Sequence, residues 1–228
     1  MIKAVVFDLD HTLFDRYATL ALTPPMFREK YGFTDGVTDE YFAEQISWAD
    51  RQYVHYGWEK IFAYLVSKNI FVNVPEYEEY KEFLLECFSK VAVKYEFSAP
   101  MLEKLHSMGI KTGLITNGRH HIQTSKLRML GLENSFDEIV ISGDTPYQKP
   151  DERIFKLAAE RLGIETSEMM FVGDHPKSDV DGSRNAGCVS VWVKTTGTWV
   201  FPEIEKPEIC VETVAEIPEI VERINNAE

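Results

Sequence analysis

The sequence is poor in the features that would tie a protein to an oxidising compartment, a membrane or a polyanion. Its three cysteines, Cys87, Cys188 and Cys210, are far apart and form no C-x-x-C pair. Neither a disulfide framework nor a zinc knuckle is expected, and the thiols read as reduced. No apolar run is long enough to span a bilayer, and the N-terminal stretch MIKAVVFDLD is interrupted by Asp8 too early to serve as the core of a secretion signal. A cytoplasmic protein is the expectation. Positive charge is also scarce: 24 Lys and Arg stand against 37 Asp and Glu, a formal net charge of −13. A field of that sign repels nucleic acid and anionic membrane surfaces, so neither is an expected partner. The chain shows no internal repeat and no low-complexity tract.

What remains is a chain of 228 residues, 44% hydrophobic, long enough to bury one full core with room for a second small module. Short apolar runs end in polar or glycine-containing turns: KAVVFD, TGLITNG, EIVISGD, MMFVGD, VSVWV and a weaker EICVE. Such runs read as strands buried on both faces. Helical patterns lie between them. In PDERIFKLAAERLG, Asp151 is a candidate N-cap, Ile154, Leu157, Ala158 and Leu162 share a face, and Gly163 can close the end. Strands alternating with helices predict an α/β fold, a Rossmann-like parallel sheet with helices on both faces. Such a fold binds its ligand at the carboxyl ends of the strands.

Residues 16–95 differ, lacking long Val/Ile runs and carrying aromatics at helical spacing among Glu and Lys. They are expected to form an all-helical cap domain, with residues 1–15 and 96–228 making the core. The clearest helix follows Pro75, with Tyr77, Tyr80, Leu84, Phe88, Val91 and Tyr95 near one stripe. An insertion entered directly after the first strand is expected to sit over the carboxyl edge of the sheet as a lid.

The residues that carry chemistry stand at predicted strand ends. The first strand delivers Asp8 and Asp10 to one side, with Thr12 further along the turn. Adjacent carboxylates repel, and the pair becomes sensible if a divalent cation neutralises one while the other keeps a proton. TGLITNG ends in Thr116 and Asn117, whose hydroxyl, amide and neighbouring N–H groups suit a phosphate or a simple helix cap. Lys149 precedes Pro150 and a helix, and FVGDHPKSDVDG supplies Asp174 and Asp179, hard oxygen ligands of the kind magnesium prefers.

The order D-x-D-x-T, T-N, K-P, G-D-x-x-x-x-D, each set at the end of a predicted strand, resembles the haloacid dehalogenase superfamily at all four of its signature positions. The resemblance runs from Asp8 to Asp179. It implies a magnesium-dependent phosphatase acting on a small phosphorylated metabolite through an aspartyl-phosphate intermediate. Asp8 corresponds to the nucleophile and Asp10 to the general acid and base, with Thr12 holding the turn and orienting Asp10. Thr116 and Asn117 correspond to the pair gripping the phosphoryl oxygens, and Lys149 to the cation linking nucleophile and phosphate. Asp8, Asp174 and the Asp10 carbonyl correspond to the Mg2+ ligands, with Asp179 supporting them directly or through water.

His11 stands where many relatives of this type carry glycine. His11, His120, His121 and His175 are read as packed, loop or helix-start histidines in preference to catalytic ones. The second acid, Asp10, is absent from family dehalogenases, which favours phosphate chemistry, while a phosphomutase would keep all four motifs. The long cap and flanking segments look most like the branch containing nucleotidases, although sugar phosphates or phosphoglycolate fit the same core. Trp48, Tyr53, Tyr56, Trp58 and Phe62, with Arg51, mark either a base-stacking platform or the cap's own core.

Overall fold

In the computed structural model, which describes residues 1–197 and 199–227, all six apolar runs are strands. They are β1 (Ala4–Phe7), β2 (Lys111–Thr116), β3 (Glu138–Ile141), β4 (Met169–Gly173), β5 (Val189–Val193) and β6 (Ile209–Val211). Every pairing is parallel and the order is β3-β2-β1-β4-β5-β6. A strand covered on both faces gains from having no polar side chain at all, and Ala4, Val5, Val6 and Phe7 in β1 are each fully buried. The weak run EICVE becomes the three-residue edge strand β6. The chain runs outward from β1 to β2 and β3, then returns to place β4 on the other side of β1. That reversal opens a crevice between β1 and β4 at their carboxyl ends, the place where open α/β sheets bind ligands.

The chain divides into two compact units, one of Met1–Phe14 with Lys94–Glu228 and one of Asp15–Val93. The second unit contains α1 (Arg16–Leu20), α2 (Pro24–Tyr31), α3 (Asp39–Tyr53), α4 (Trp58–Ser67) and α5 (Tyr77–Val91). Its core is aromatic. The Phe27 ring lies 5.0 Å from both Phe42 and Phe83, and Phe62 lies 5.0 Å from Tyr80. Along α5, Tyr80, Leu84, Cys87 and Phe88 are buried, but the helix ends at Val91 because Ala92 turns extended, so Tyr95 lies outside it. The aromatics between residues 48 and 62 do not make one platform. Trp48 and Tyr53 pack with Tyr64, Trp58 with Phe88, and Phe62 with Tyr77 and Tyr80. They divide because helical periodicity turns successive residues to different neighbours. Arg51 stacks on Tyr17, 3.8 Å from its ring centre.

The first unit carries α6 (Ser98–Ser107), α7 (His120–Leu130), α8 (Glu152–Leu162), α9 (Gly182–Asn185) and α10 (Ile217–Asn226). Helix α8 begins where the Asp151 carboxylate accepts from the Arg153 N–H and ends at Gly163, in the left-handed conformation that closes a helix. Its buried side is Ile154, Phe155, Ala158, Ala159 and Leu162, whereas Leu157 is only half-buried. Alternation along the strands presents Ala4 and Val6, with Met169 and Phe171, to this helix. The Phe155 and Phe171 rings meet edge to face at 4.9 Å. Full burial of a side chain of that size contributes about 1.5–3 kcal/mol, so this layer anchors β4 under the loop that follows it. Among the described residues no helix is long and apolar enough to cross a membrane.

Candidate active site

Asp8 lies one residue past β1, and its N–H donates to the Val172 carbonyl at 2.9 Å. The β1–β4 ladder is thereby prolonged by one rung, which places the Asp8 side chain beside the loop leaving β4. The turn that follows is wound tightly on itself, with the N–H groups of Thr12, Leu13 and Phe14 all donating to the Leu9 carbonyl. Such winding requires a left-handed residue, and His11 supplies it with φ of 60°. Glycine reaches that region without the Cβ clash a histidine accepts, which gives a physical reason for glycine at this position in relatives. The His11 ring is buried, at 3% exposure.

Lys149 joins the two loops. Its Nζ donates to Asp8 Oδ1 at 2.5 Å and to Asp179 Oδ1 at 2.7 Å, with all three side chains almost fully buried. Asn117 holds the lysine's backbone from both directions: its Nδ2 donates to the Lys149 carbonyl, and the Lys149 N–H donates to its Oδ1, each at 2.9 Å. The Asn117 amide is thereby engaged on both sides and positions Lys149. The loop after β4 is a short π-helical segment, Pro176–Asp181, in place of the polar turn read from sequence. It curls back so that the His175 N–H donates to Asp179 Oδ2 at 2.9 Å. The indole N–H of Trp192 donates to the Asp174 carbonyl at 2.9 Å and fixes the start of the loop.

Asp8, Asp174 and Asp179 each present a carboxylate oxygen to one point, all within 4.8 Å of one another. Three acids around one ammonium leave the cluster short of positive charge. Burial, joined by the Asp179 and Asp10 charges and opposed by Lys149, pushes Asp8 up to about 7. Burial and the neighbouring Asp179 and Asp8 charges also raise Asp174 well above the usual carboxylate range. Burial alone would pull the Lys149 ammonium down, but the Asp179 and Asp8 charges outweigh it and raise its pKa. The cluster must take up a proton or a cation, and oxygen-only donors of this kind suit a hard divalent ion.

The Asp10 carboxylate belongs to a different set of contacts. Lys126 Nζ on α7 donates to both of its oxygens, at 2.8 and 3.0 Å. Gln123, one turn earlier, donates through Nε2 to Thr116 Oγ1 and reaches Asp10 Oδ2 at 3.5 Å. The expectation that Thr12 orients Asp10 fails here. The buried Thr12 hydroxyl has no hydrogen-bond partner among the described residues, and Lys126 holds the acid instead. Neither Lys126 nor Gln123 stood out in the sequence. The available signal was their placement, since both occupy the face of α7 shared by Ile122, Leu127 and Leu130, where polar residues are out of pattern.

Of the other histidines, His175 and His120 have structural employment. His175 caps the π-helical segment, its Nδ1 accepting from the Lys177 and Ser178 N–H groups at 3.1 and 3.2 Å. Burial lowers its pKa, consistent with a neutral ring serving as acceptor. His120 pairs with Asp144 at 2.7 Å on the exposed side of α7.

Comparison with known proteins places this geometry in a family. Residues 5–193 match the family model described as haloacid dehalogenase-like hydrolase. A glyceraldehyde 3-phosphate phosphatase of Methanopyrus kandleri is 30% identical over 207 residues, covering 85% of this chain and 84% of that protein. The crystal structure of a HAD phosphatase from Thermococcus onnurineus is 27% identical and superposes with a TM-score of 0.66, covering 96% of this chain and 98% of that one. The L-2-haloacid dehalogenase of Xanthobacter autotrophicus, 22% identical with a TM-score of 0.71 and coverage of 97% and 99%, shares the fold. With its motifs at or in the loops beyond the carboxyl ends of β1, β2, β3 and β4, and the family match spanning most of its length, the chain belongs to the haloacid dehalogenase-like hydrolases.

Proposed function

We propose that the protein is a magnesium-dependent phosphatase that hydrolyses small phosphate monoesters through a phosphorylated Asp8. The observation that carries this reading is the Lys149 bridge. An ammonium placed 2.5 Å from Asp8 Oδ1 can bridge the nucleophile to an incoming phosphoryl group and offset part of their negative charge. In the first half-reaction an Asp8 oxygen forms a bond to phosphorus as the ester P–O bond breaks, and Asp10 delivers its proton to the departing oxygen. In the second, Asp10 takes a proton from water, whose oxygen bonds to phosphorus as the bond to Asp8 breaks and inorganic phosphate leaves. Thr116 and the N–H groups around it hold the phosphoryl oxygens.

The donor set fits Mg2+, which the carboxylates of Asp8 and Asp174 and the carbonyl of Asp10 would hold with Asp179 alongside. Bound there, the ion would supply the positive charge that lets buried carboxylates stay ionised beside a phosphate dianion. Residues 16–95, inserted between the first two motifs, are assigned the part of a substrate-selecting cap. Relatives named as phosphatases of glyceraldehyde 3-phosphate favour sugar- and triose-type monoesters over nucleotides as the first substrates to try. Halide displacement needs no proton, so a half-buried Asp10 gripped by Lys126 favours ester cleavage over dehalogenation.

The test is phosphate release from a panel of sugar, triose and nucleoside monophosphates with Mg2+, alongside Asp8→Asn. Turnover that requires both Asp8 and the metal is expected. No release from any monoester, or an Asp8→Asn protein as active as wild type, would refute the reading.

A further inference from the structure

Lys126 is a buried lysine with no place in the chemistry assigned above. Lysines on helix faces ordinarily run their stems along apolar surface and release the ammonium to water. Lys126 is only 2% exposed, its Nζ lies 5.0 Å from the Phe14 ring, and both oxygens of Asp10 accept from it. Desolvating an ammonium opposes folding, and an apolar residue of similar volume often stabilises such a position as well or better. The charge at residue 126 therefore answers a need other than packing. A cation shared between two carboxylate oxygens defines where the carboxylate lies and how it is rotated. Gln123 adds a second constraint from the same helix, since its Nε2 donates to Thr116 Oγ1 at 2.5 Å while lying 3.5 Å from Asp10 Oδ2. One turn of α7 thus ties the hydroxyl that faces the phosphoryl group to the carboxylate that handles the proton.

We propose that Lys126 is a positioning residue for Asp10, with Gln123 linking the pair to Thr116, so that α7 sets the acid's aim toward the leaving oxygen. The inference rests on the acid and base role given to Asp10 above. It carries a specific consequence for leaving groups. An alkoxide must take the Asp10 proton as its bond to phosphorus breaks, whereas p-nitrophenolate departs as the anion. Loss of Lys126 should therefore harm the cleavage of alkyl esters and spare that of aryl esters.

The experiment is rapid-quench measurement of phosphoenzyme formation, with Mg2+, from glyceraldehyde 3-phosphate and from p-nitrophenyl phosphate. It compares wild type with Lys126→Met and Lys126→Arg. For Lys126→Met the expected result is a fall of about 100-fold on the alkyl ester, the scale of general acid catalysis, and of less than about 3-fold on the aryl ester. KM should stay within about 3-fold, and Lys126→Arg, which restores a cation, should recover at least about tenfold. Should Lys126→Met not fold, Lys126→Gln, which keeps a donor without the charge, is measured in its place. Equal losses on both esters mean a merely structural lysine and overturn the proposal, as does an unimpaired variant beside an active wild type. A wild type that forms no phosphoenzyme from either ester overturns the phosphatase reading itself, and this inference with it.

Discussion

Gly173 and Asp179 approach each other more closely than any side chain at residue 173 would allow: a Cβ built there would lie 2.5 Å from the Asp179 Cγ. The last residue of β4 is bare so that the carboxylate of the following loop can fold back over the strand end. There it accepts from the His175 N–H and from Lys149.

Gly173→Ala should therefore displace Asp179 and loosen its hold on Lys149. Overpacking of this kind costs about 1–3 kcal/mol. A misplaced charge in the site should lower kcat/KM by about tenfold or more. Thermal melts and steady-state kinetics check both, and an alanine variant with wild-type values would show that the close approach has no functional weight.

Lys149→Met leaves Asp8 and Asp179 buried with no ammonium between them. Activity should fall by about 100- to 1,000-fold, the range seen when a preorganised electrostatic group is removed. Lys149→Arg keeps the charge in a bulkier, planar group and should recover little of the loss, because the site is closed and the two geometries differ. Initial-rate assays with saturating Mg2+ separate the two outcomes.

The raised carboxyls give the metal-free protein an inverted pH profile. Asp8 titrates near 7 in the folded state against 3.8 in the unfolded chain. Between those values the folded state holds the extra proton, so its stability declines as pH rises toward 7 and then levels off. Asp174, raised in the same direction, adds to the slope. In EDTA the melting temperature of the wild type should drop between pH 5 and pH 8 relative to Asp8→Asn. Added Mg2+ should restore more stability at pH 8 than at pH 5, since the ion takes the proton's place. A metal-free melting temperature that climbs across this interval more steeply in wild type than in Asp8→Asn would contradict the assignment.

In the helical unit, Arg16 is 3% exposed and donates to Asp50 Oδ1 through Nε at 3.0 Å and Nη2 at 2.7 Å, with Trp58 and Phe88 against its guanidinium. Asp50→Ala removes the counter-charge and leaves the guanidinium buried, which should cost about 3–5 kcal/mol. Urea unfolding reports the loss directly, and a change under about 1 kcal/mol would mean that the guanidinium finds water in the variant.

Strands and helices of the core were legible because each is locally specified. Fully apolar runs such as KAVVFD admit burial on both faces, and Asp151 and Gly163 mark helix ends through backbone chemistry that needs no distant partner. The end of α5 was less legible, since the apolar stripe continues to Tyr95 although the helix stops at Val91. The aromatics around Trp58 scatter for a similar reason: period alone cannot say which neighbour each ring will meet.

Sequence by itself determined the parallel α/β architecture, the family, and the ends of β1, β2, β3 and β4 with the loops after them that carry the residues from Asp8 and Asp10 through Thr116, Asn117 and Lys149 to Asp174, because strand position and residue type are both read along the chain. Tertiary structure alone decided the partners. Lys149 between Asp8 and Asp179 joins residues 141 and 30 positions apart, Lys126 on Asp10 joins residues 116 apart, and Asn117 turns its amide to a backbone 32 residues away. A hydrogen bond or an ion pair acts over a few ångströms of space whatever the separation in sequence, and only the folded sheet brings these groups within that range.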